Sequence, residues 1–495
     1  MPAHTLPITR LAHPQSLRLA VLLLSTWSAA LAQGQVVEDW TRTLTLNGSQ
    51  LHGRMVAVDA SDSIYVTGHY PNYRIVTAKF AADGTPLWQV DFSNPGTREH
   101  AAWLTVDAFG DVVVAGYNVV GGSMTPNGFV TLKYDPAGNL LWSDIVQSTW
   151  GSLERVATDA NGDVVVVGRD AGSIVTIKYT RTGTRSWMRT ASLSPFNVNQ
   201  VGGLALDAAG NVYVTGGILG TMLTLAYDPA GNLRWSRTTP ALGAGADIAV
   251  GPGGEVYVAG AAGGSGVDRS LVAKFDAAGS PLWTHTYPGT GARRLAIDAH
   301  GDLVIIGAFA PTGGYTDWIT QKLDPAGNQL WATHFDQHRY NDEVPYALTV
   351  GPDDEIYVSG QGGPGPTSGT LSYLRTVTVR YAKDGSQEWA GSSFTSLRGR
   401  GVALLSDNTI ATVGESTFTV FHYEQSAVWR SLGGALAGVG GLPHLEGTGS
   451  PRGATSVGLE LTRGAPGAPA WIVAGLSRAN LPLFGGVLVP TMDVV

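Results

Sequence analysis

The chain has 495 residues, of which 66 are glycine and 14 are tryptophan, and its formal net charge is −8. It is too long for one ordinary core, so we expect several domains or one large repeat architecture, and its composition favours turns and strands over helical bundles. The acidic balance argues against a nucleic-acid partner, and the absence of cysteine excludes disulfides, thiolate metal sites and cysteine nucleophiles.

The first 32 residues have the pattern of a secretory signal peptide. Arg10 and Arg18 precede the apolar run 19–24, and Ala-Leu-Ala at 30–32 is a small-x-small cleavage site. The apolar run is too short for a membrane span, and no other segment approaches that length. We therefore expect cleavage near Ala32, a secreted protein (extracellular or periplasmic) and no membrane span.

Residues 51–429 repeat one unit eight times. In its clearest copy, GLALDAAGNVYVTGG at 203–217 is followed by MLTLAYDPAGNLRWSRTT at 222–239. Short β-branched and aromatic runs alternate with Asp/Gly turns, which gives a meander of four strands, A to D. Such a unit, repeated with no helical period, is typical of a β-propeller blade. The copies are 56–88, 104–142, 156–187, 204–235, 248–283, 295–331, 348–389 and 402–429, and the glycines that close strand B are Gly68, Gly116, Gly168, Gly216, Gly260, Gly307, Gly360 and Gly414.

These units resemble the SBBP-type bacterial β-propeller repeat in the motif D-x-x-G-[DN]-[VIL]-x-[VI]-x-G followed by T-x-K-[YF]-D-x-x-G-x-x-x-W. The resemblance implies an all-β, secreted bacterial propeller. The family name implies seven blades, whereas eight four-stranded units are counted here, so both closures stay open. Trp40 lies in a segment similar to strand D around Trp235. We therefore expect residues 36–46 to complete the eighth blade from the N-terminus and the propeller to span 36–430.

The composition changes after the repeats. Residues 431–441 are rich in glycine and alanine and are predicted to be a linker. Residues 442–495 contain apolar runs at 456–461, 470–476 and 486–489, and the pattern G-L-P-x-L-x-G-x-G resembles the start of a β-sandwich module of secreted bacterial proteins. We predict a small β-rich C-terminal module, incomplete because it is short for an independent sandwich.

One tryptophan per unit is predicted to pack between blades, because a large aromatic ring suits that position. The positions are Trp88, Trp142, Trp187, Trp235, Trp283, Trp331, Trp389 and Trp429. The alternative is the docking tryptophan of quinoproteins. That motif places tryptophan eight residues after its aspartate, whereas Asp228 and Trp235 are seven apart. We therefore predict no cofactor.

Turn aspartates and lysines also recur in the units. Turns such as Asp107 to Asp111 could suggest calcium, but the distant bidentate glutamate of an EF-type loop is missing, so we predict Asx turns and no metal. Five of the six lysines share one strand C position: Lys79, Lys133, Lys178, Lys274 and Lys322. We expect their stems to be buried along the blade and their ammonium groups to reach a turn carboxylate or carbonyl.

Candidate binding residues lie in the variable D–A connections, since variable loops on a rigid scaffold are where binding usually occurs. Eight of them are predicted to surround one end of the channel: His52, Arg54, His100, Glu154, Arg155, Arg294, Glu343 and Arg400. The alternative is that these side chains form a solvated, salt-bridged rim without a binding function.

No H-E-x-x-H, G-x-S-x-G or phosphate-binding glycine loop is present, and no catalytic residue is predicted. We expect a secreted, non-enzymatic binding or scaffold propeller that recognises a glycan, a peptide or a protein. The alternative is a secreted polysaccharide lyase or hydrolase acting at the channel mouth. The seventh unit, with its insertion at 361–373, departs most from the other copies, as the site of a one-site catalyst would.

Overall fold

The computed structural model describes residues 36–46, 49–69, 74–120, 125–148, 150–191, 198–218, 220–262, 269–289, 291–310, 315–336, 342–362, 375–393, 398–415 and 418–425, and four short strands between 444 and 488. The predicted signal peptide, the predicted linker, Trp429 and most of the 361–373 insertion lie outside the described residues. The secondary structure of this part consists of strands alone, and no helix in it could cross a membrane.

Eight four-stranded antiparallel blades form the structure, which confirms the all-β propeller and decides its blade number. Strand A of each blade contacts strand A of the next, and blade eight contacts blade one in the same way, so the A strands form the inner ring. In the order A to D, the strands of the first three blades are His52–Val58, Ile64–His69, Ile75–Phe80 and Pro86–Phe92 in blade one; Thr97–Val106, Val112–Val120, Gly128–Tyr134 and Leu140–Gln147 in blade two; and Ser152–Thr158, Val164–Asp170, Ser173–Tyr179 and Arg185–Ala191 in blade three. Blades four and five share the long strand Leu233–Val250: blade four consists of Val198–Leu206, Val212–Ile218, Thr221–Tyr227 and the first part of that strand, and blade five of its second part, Val256–Ala262, Arg269–Phe275 and Pro281–Tyr287. The strands of the last three blades are Ala292–Ile297, Leu303–Phe309, Asp317–Leu323 and Gln329–Phe335 in blade six; Val344–Val350, Ile356–Gly362, Arg375–Tyr381 and Gln387–Ser393 in blade seven; and Gly399–Leu404, Ile410–Gly414, Thr419–Gln425 and Val36–Thr43 in blade eight.

The N-terminal strand closes the ring. Val36–Thr43 pairs antiparallel with Thr419–Gln425, and Trp40 lies opposite His422. The Trp40 and His422 rings stack with centroids 5.2 Å apart, and Trp40 Nε1 donates to the carbonyl of Ala82 in blade one at 3.0 Å. This confirms the predicted latch. It satisfies a strand edge that would otherwise be open to association.

The strand D tryptophans join neighbouring blades, as predicted. In seven blades the indole Nε1 donates to a carbonyl in the C–D turn of the next blade at 2.9–3.2 Å, in the pairs Trp40–Ala82, Trp88–Pro136, Trp142–Arg181, Trp187–Pro229, Trp235–Ala277, Trp283–Pro325 and Trp331–Lys383. In blade seven, Nε1 of Trp389 is buried and has no hydrogen-bond acceptor among the described residues. The glycine of that turn packs against the ring. Gly84 has φ +77°, and a Cβ on it would overlap Trp40. One sequence position therefore provides both a left-handed turn and an inter-blade contact.

The five strand C lysines are buried ion pairs, which confirms the prediction made for them. Their side chains are between 0 and 11% exposed, and each Nζ lies 2.6–3.8 Å from a carboxylate oxygen of the A–B turn in its own blade. The pairs are Lys79–Asp59, Lys133–Asp107, Lys178–Asp159, Lys274–Glu255 and Lys322–Asp298. Lys133 also donates to the carbonyl of Gly162 in blade three at 3.3 Å, so the ammonium joins two blades.

The C-terminal region is described only as two small hairpins. His444–Thr448 pairs with Gly458–Thr462, and Leu481–Leu483 pairs with Gly486–Leu488. Two of the three predicted strands overlap these elements, and 470–476 lies outside the described residues. The boundaries of the signal peptide, the linker and the C-terminal module stay predictions.

Candidate functional site

A β-bulge at the same place in every strand A shapes the centre of the propeller. The strand B glycine of each blade pairs with the residue just before the bulge, for example Gly68 with Gly53 and Gly168 with Leu153. A Cβ on Gly68 would overlap the carbonyl oxygen of His52, and one on Gly168 would overlap that of Ser152. The repeated glycine is therefore required by the close approach of strand A.

The bulged residue lies 14 positions before the glycine in all eight blades. The bulged residues are Arg54, Ala102, Glu154, Gly202, Ala246, Arg293, Tyr346 and Arg400. A bulge turns a side chain away from the face that ordinary alternation would give it. In this propeller it brings the bulged residue or its successor to the axis.

The inner cluster consists of Trp103, Arg155, Asp247 and Arg294, each one residue after its bulged residue. The guanidinium carbon of Arg155 lies 4.1 Å from the centroid of the Trp103 ring, and that of Arg294 lies 5.3 Å from it. Asp247 accepts hydrogen bonds from the amides of Ile248 and Leu295, both at 3.1 Å. Blades two and six stand on opposite sides of the ring, so the contact between Trp103 and Arg294 crosses the axis.

The rim cluster consists of Arg54, Arg293, Tyr346, Arg398, Arg400 and Glu415. Glu415 follows strand B of blade eight and receives three arginines: Arg54 at 3.1 Å, Arg398 at 3.2 Å and Arg400 at 2.7 Å. Burial acts to raise the pKa of Glu415, but Arg400 and Arg54 outweigh it and the pKa is lowered. Glu415 is therefore ionised at neutral pH and holds the three cations together.

Tyr346 connects Arg293, the remaining arginine of the rim cluster, to Arg400. Its ring centroid lies 4.5 Å from the guanidinium carbon of Arg400 and 5.7 Å from that of Arg293. Burial, followed by the charge of Arg155, lowers the pKa of Arg294 to about 9. An arginine stays protonated in a protein, so the lowered pKa means that this cation is held at an electrostatic cost that a bound anion would relieve.

A row of histidines borders the rim cluster. The ring centroids of His52 and His69 are 5.5 Å apart, those of His69 and His100 are 4.8 Å apart, and Tyr117 stacks on His100 at 4.7 Å with an angle of 9° between the ring planes. Burial and the charge of Arg54 lower the pKa of His69 to about 2 and that of His100 to about 4. Both rings are therefore neutral at pH 7. This histidine row presents aromatic surface beside a guanidinium.

The structure places the eight predicted residues in different surroundings. Arg54, Arg155, Arg294 and Arg400 belong to the inner and rim clusters, and His52 and His100 belong to the histidine row. Glu154 turns toward its own blade, where its carboxylate accepts a hydrogen bond from Ser152 Oγ at 2.9 Å and lies 3.8 Å from Arg169.

Glu343 does not join these groups. Its side chain is 0% exposed, and its charge helps to raise the pKa of Tyr381 in strand C of the same blade. A fully buried side chain does not line an open mouth. Its place before strand A had suggested the channel, but it precedes the bulge of blade seven, and it is Tyr346 that reaches the rim cluster.

Sequence reasoning missed Trp103, Tyr346 and Glu415. The constant spacing to the strand B glycine could have found two of them, because Tyr346 lies 14 residues before Gly360 and Trp103 lies 13 residues before Gly116. Glu415 directly follows Gly414. Each of the two aromatic residues occurs at its position in a single copy, so the repeat pattern does not distinguish it.

The acidic turns are structural within the described residues. Asp107 Oδ1 accepts the amides of Phe109 and Asp111 at 2.9 Å, and its Oδ2 accepts from Lys133, which is the predicted Asx turn. Asp298, His300 and Asp354 lie close enough to suggest a metal site. However, Lys322 Nζ already lies 2.6 Å from Asp298 Oδ2, so this carboxylate has its counter-ion.

No protein-family model matches the chain, and no curated protein matches it. Solved structures do. Sqt1 from Chaetomium thermophilum is 13% identical, with 79% of this chain and 100% of that chain covered and a TM-score of 0.55. The Dos1 propeller is 9% identical, with coverages of 78% and 95% and a TM-score of 0.48. A virginiamycin B lyase from Staphylococcus aureus is 10% identical, with coverages of 79% and 99% and a TM-score of 0.43. At such identities the likeness shows the β-propeller fold alone.

Proposed function

We propose that this protein is a secreted, non-enzymatic binding or scaffold propeller that recognises a glycan, a peptide or a protein at the axis. The observation that supports it is the convergence of the inner and rim clusters from seven of the eight blades on the face where strands A begin and strands B end. These side chains combine charge, hydrogen-bond donors and aromatic rings on a rigid scaffold. Such a combination is typical of binding sites on repeat scaffolds.

Binding fits the site better than lyase or hydrolase chemistry does. A general base works best when its pKa is near the working pH. Burial lowers the pKa of His100 to about 4 and that of His69 to about 2, so both rings are weak bases at neutral pH. Asp247, the carboxylate of the inner cluster, accepts two backbone amides rather than facing outward alone.

The test is a glycan and peptide array probed with residues 33–495, the predicted mature protein. A variant that carries Arg54→Ala, His100→Ala and Arg294→Ala should lose the array signal. Arg181→Ala is the matched control, because Arg181 lies in a C–D turn at the opposite end of the propeller and pairs with Asp111 at 3.4 Å. Normal binding by the triple variant would move the site elsewhere, most directly to the C-terminal module.

Secretion is part of the proposal and has its own test. The full chain should be exported when it is expressed with its first 32 residues, and mass spectrometry of the exported protein should find an N-terminus just after Ala32. Retention of the full-length mass inside the cell would contradict it.

A further inference from the structure

The axis is a cationic site in an acidic protein. The chain has a formal net charge of −8. At the axis, however, six arginines belong to the inner and rim clusters, together with two carboxylates, Asp247 and Glu415. The six are Arg54, Arg155, Arg293, Arg294, Arg398 and Arg400. A local excess of one sign in a narrow opening attracts ions of the opposite sign.

The excess positive charge lies mainly on the arginines that do not form an ion pair with Glu415. In the part of the chain that the structure describes, no carboxylate lies within 4.0 Å of the guanidinium of Arg155, Arg293 or Arg294. The buried Nε of Arg54 likewise has no hydrogen-bond acceptor among the described residues. Arg155 and Arg294 each donate one N–H to a backbone carbonyl, of Glu154 and Arg293 respectively, at 2.9 Å. Their other N–H groups have no carboxylate partner in the described part of the chain and can donate to a ligand.

The guanidinium groups are held in place before any ligand arrives. Trp103 contacts Arg155 and Arg294, and Tyr346 contacts Arg293 and Arg400, each through the ring face. Stacking on an aromatic face leaves the N–H edges of a guanidinium available, and two N–H groups on one edge match two oxygens of a carboxylate or sulfate. The chain uses arginine here and reserves five of its six lysines for strand C.

We propose that the axis binds an acidic polysaccharide through the carboxylate or sulfate groups of consecutive sugars. This rests on the proposed function and names the class of its ligand. Several uncompensated cations spread over the inner and rim clusters suit a ligand with repeated charges. His100 and Tyr117 place parallel ring faces beside Arg54, which suits the flat C–H face of a sugar next to its acidic group. Trp103 and Arg294 contact each other across the axis. We therefore expect the polysaccharide to lie over the mouth of the channel and not to pass through it.

The test is calorimetric titration of the mature protein with four probes of similar length: oligogalacturonate, a heparin-derived oligosaccharide, a neutral cello-oligosaccharide and poly-glutamate. The first two separate carboxylate from sulfate as the favoured oxyanion. We expect at least one acidic sugar to bind, the neutral sugar to fail, and added salt to weaken binding. Arg294→Gln should weaken binding about tenfold or more, the effect of losing a charge-assisted hydrogen bond. Arg181→Gln is the matched control and should leave binding unchanged.

A second variant, for which we expect tighter binding, distinguishes a loss of binding residues from misfolding. Asp247→Asn removes the charge of the inner cluster and keeps one oxygen, which can accept the amide of Leu295, while the amide of Ile248 loses its side-chain acceptor. It should tighten binding of the acidic sugar several-fold, an effect that a damaged fold does not imitate.

Three outcomes would overturn the inference. If the neutral sugar binds as well as the acidic ones and the triple variant abolishes it, the proposed function survives and the anionic ligand class is wrong. If poly-glutamate binds more tightly than either acidic sugar, the ligand is an acidic peptide. If none of the four probes binds, or if Asp247→Asn weakens binding as much as Arg294→Gln does, the axis is not an oxyanion site.

Discussion

The ring of Trp103 in blade two lies 5.3 Å from the guanidinium carbon of Arg294 in blade six, across the central axis. The same ring lies 4.1 Å from the guanidinium carbon of Arg155 in blade three. One side chain therefore contacts cations from two other blades, and one of these blades is on the opposite side of the ring.

Trp103→Ala should weaken ligand binding more than it weakens the fold. Two cation–π contacts of about 0.5–2 kcal/mol each are lost, and the arginines lose their common platform. Binding of an acidic oligosaccharide and the unfolding midpoint are to be measured together, with Trp103→Phe as the matched variant that keeps an aromatic face. Unchanged affinity in Trp103→Ala would show that the platform is not needed.

Trp40→Ala should destabilise the propeller by roughly 3–5 kcal/mol, the usual cost of removing a buried tryptophan. Trp40 is 8% exposed and fixes the N-terminal strand to blades eight and one. Trp150 is 55% exposed, so Trp150→Ala is the control and should cost less than about 0.5 kcal/mol. Urea unfolding followed by circular dichroism measures both. Equal losses in the two variants would rule out a closing role for Trp40.

Lys133→Met should cost about 3–5 kcal/mol, because it leaves buried carboxylates without their cation. Lys133 Nζ lies 2.8 Å from Asp107 and 3.3 Å from Asp111, and its side chain is fully buried. Lys383→Met is the matched control, since Lys383 is the sixth lysine and lies exposed in the C–D turn of blade seven. Urea unfolding measures both variants. A small loss of unfolding free energy in Lys133→Met would mean that the repeated lysine is not structurally important.

Glu415→Gln should lower stability at neutral pH and lose this effect in acid. The pKa of Glu415 is lowered because its arginines outweigh its burial. A carboxylate with a lowered folded-state pKa stabilises the fold above its unfolded pKa of about 4.3, and this contribution is lost as the pH falls through the folded-state pKa. The melting temperatures of the two proteins should therefore differ at pH 7 and converge as the pH falls from about 4.3 through the lower, folded-state pKa. A difference that is independent of pH would contradict the ion pairing.

His69 should remain neutral throughout the physiological range. Burial and Arg54 lower its pKa to about 2, well under the usual 6.5. Between these values the unfolded chain binds the proton and the folded chain does not, so His69 reduces stability as the pH falls below about 6.5. Nuclear magnetic resonance of the ring should show no titration between pH 5 and 8, and His69→Phe should flatten the acid side of the stability profile. A midpoint near pH 6.5 would show that the ring is solvated.

The repeat itself carries the fold. Asp/Gly turns, β-branched runs and one tryptophan per unit act locally, so the sequence alone determined the four-stranded blade, the inter-blade tryptophan and the strand C lysine. The latch could also be predicted, because Trp40 stands in a copy of the strand D sequence that has no blade of its own. These features depend on residues close in sequence or on a pattern repeated many times.

Only the tertiary structure decided which side chains meet at the axis. Trp103 and Arg294 are four blades apart, and no local pattern connects them. Glu343 and Glu415 are the same residue type at loop positions of neighbouring blades, yet Glu343 is fully buried while Glu415 holds three arginines. The two residues differ because Glu343 precedes strand A of blade seven whereas Glu415 follows strand B of blade eight. For the strand A residues the bulge decides, because a shift of one residue in register moves a side chain from one face of a strand to the other. Ring closure then brings eight such positions to one place.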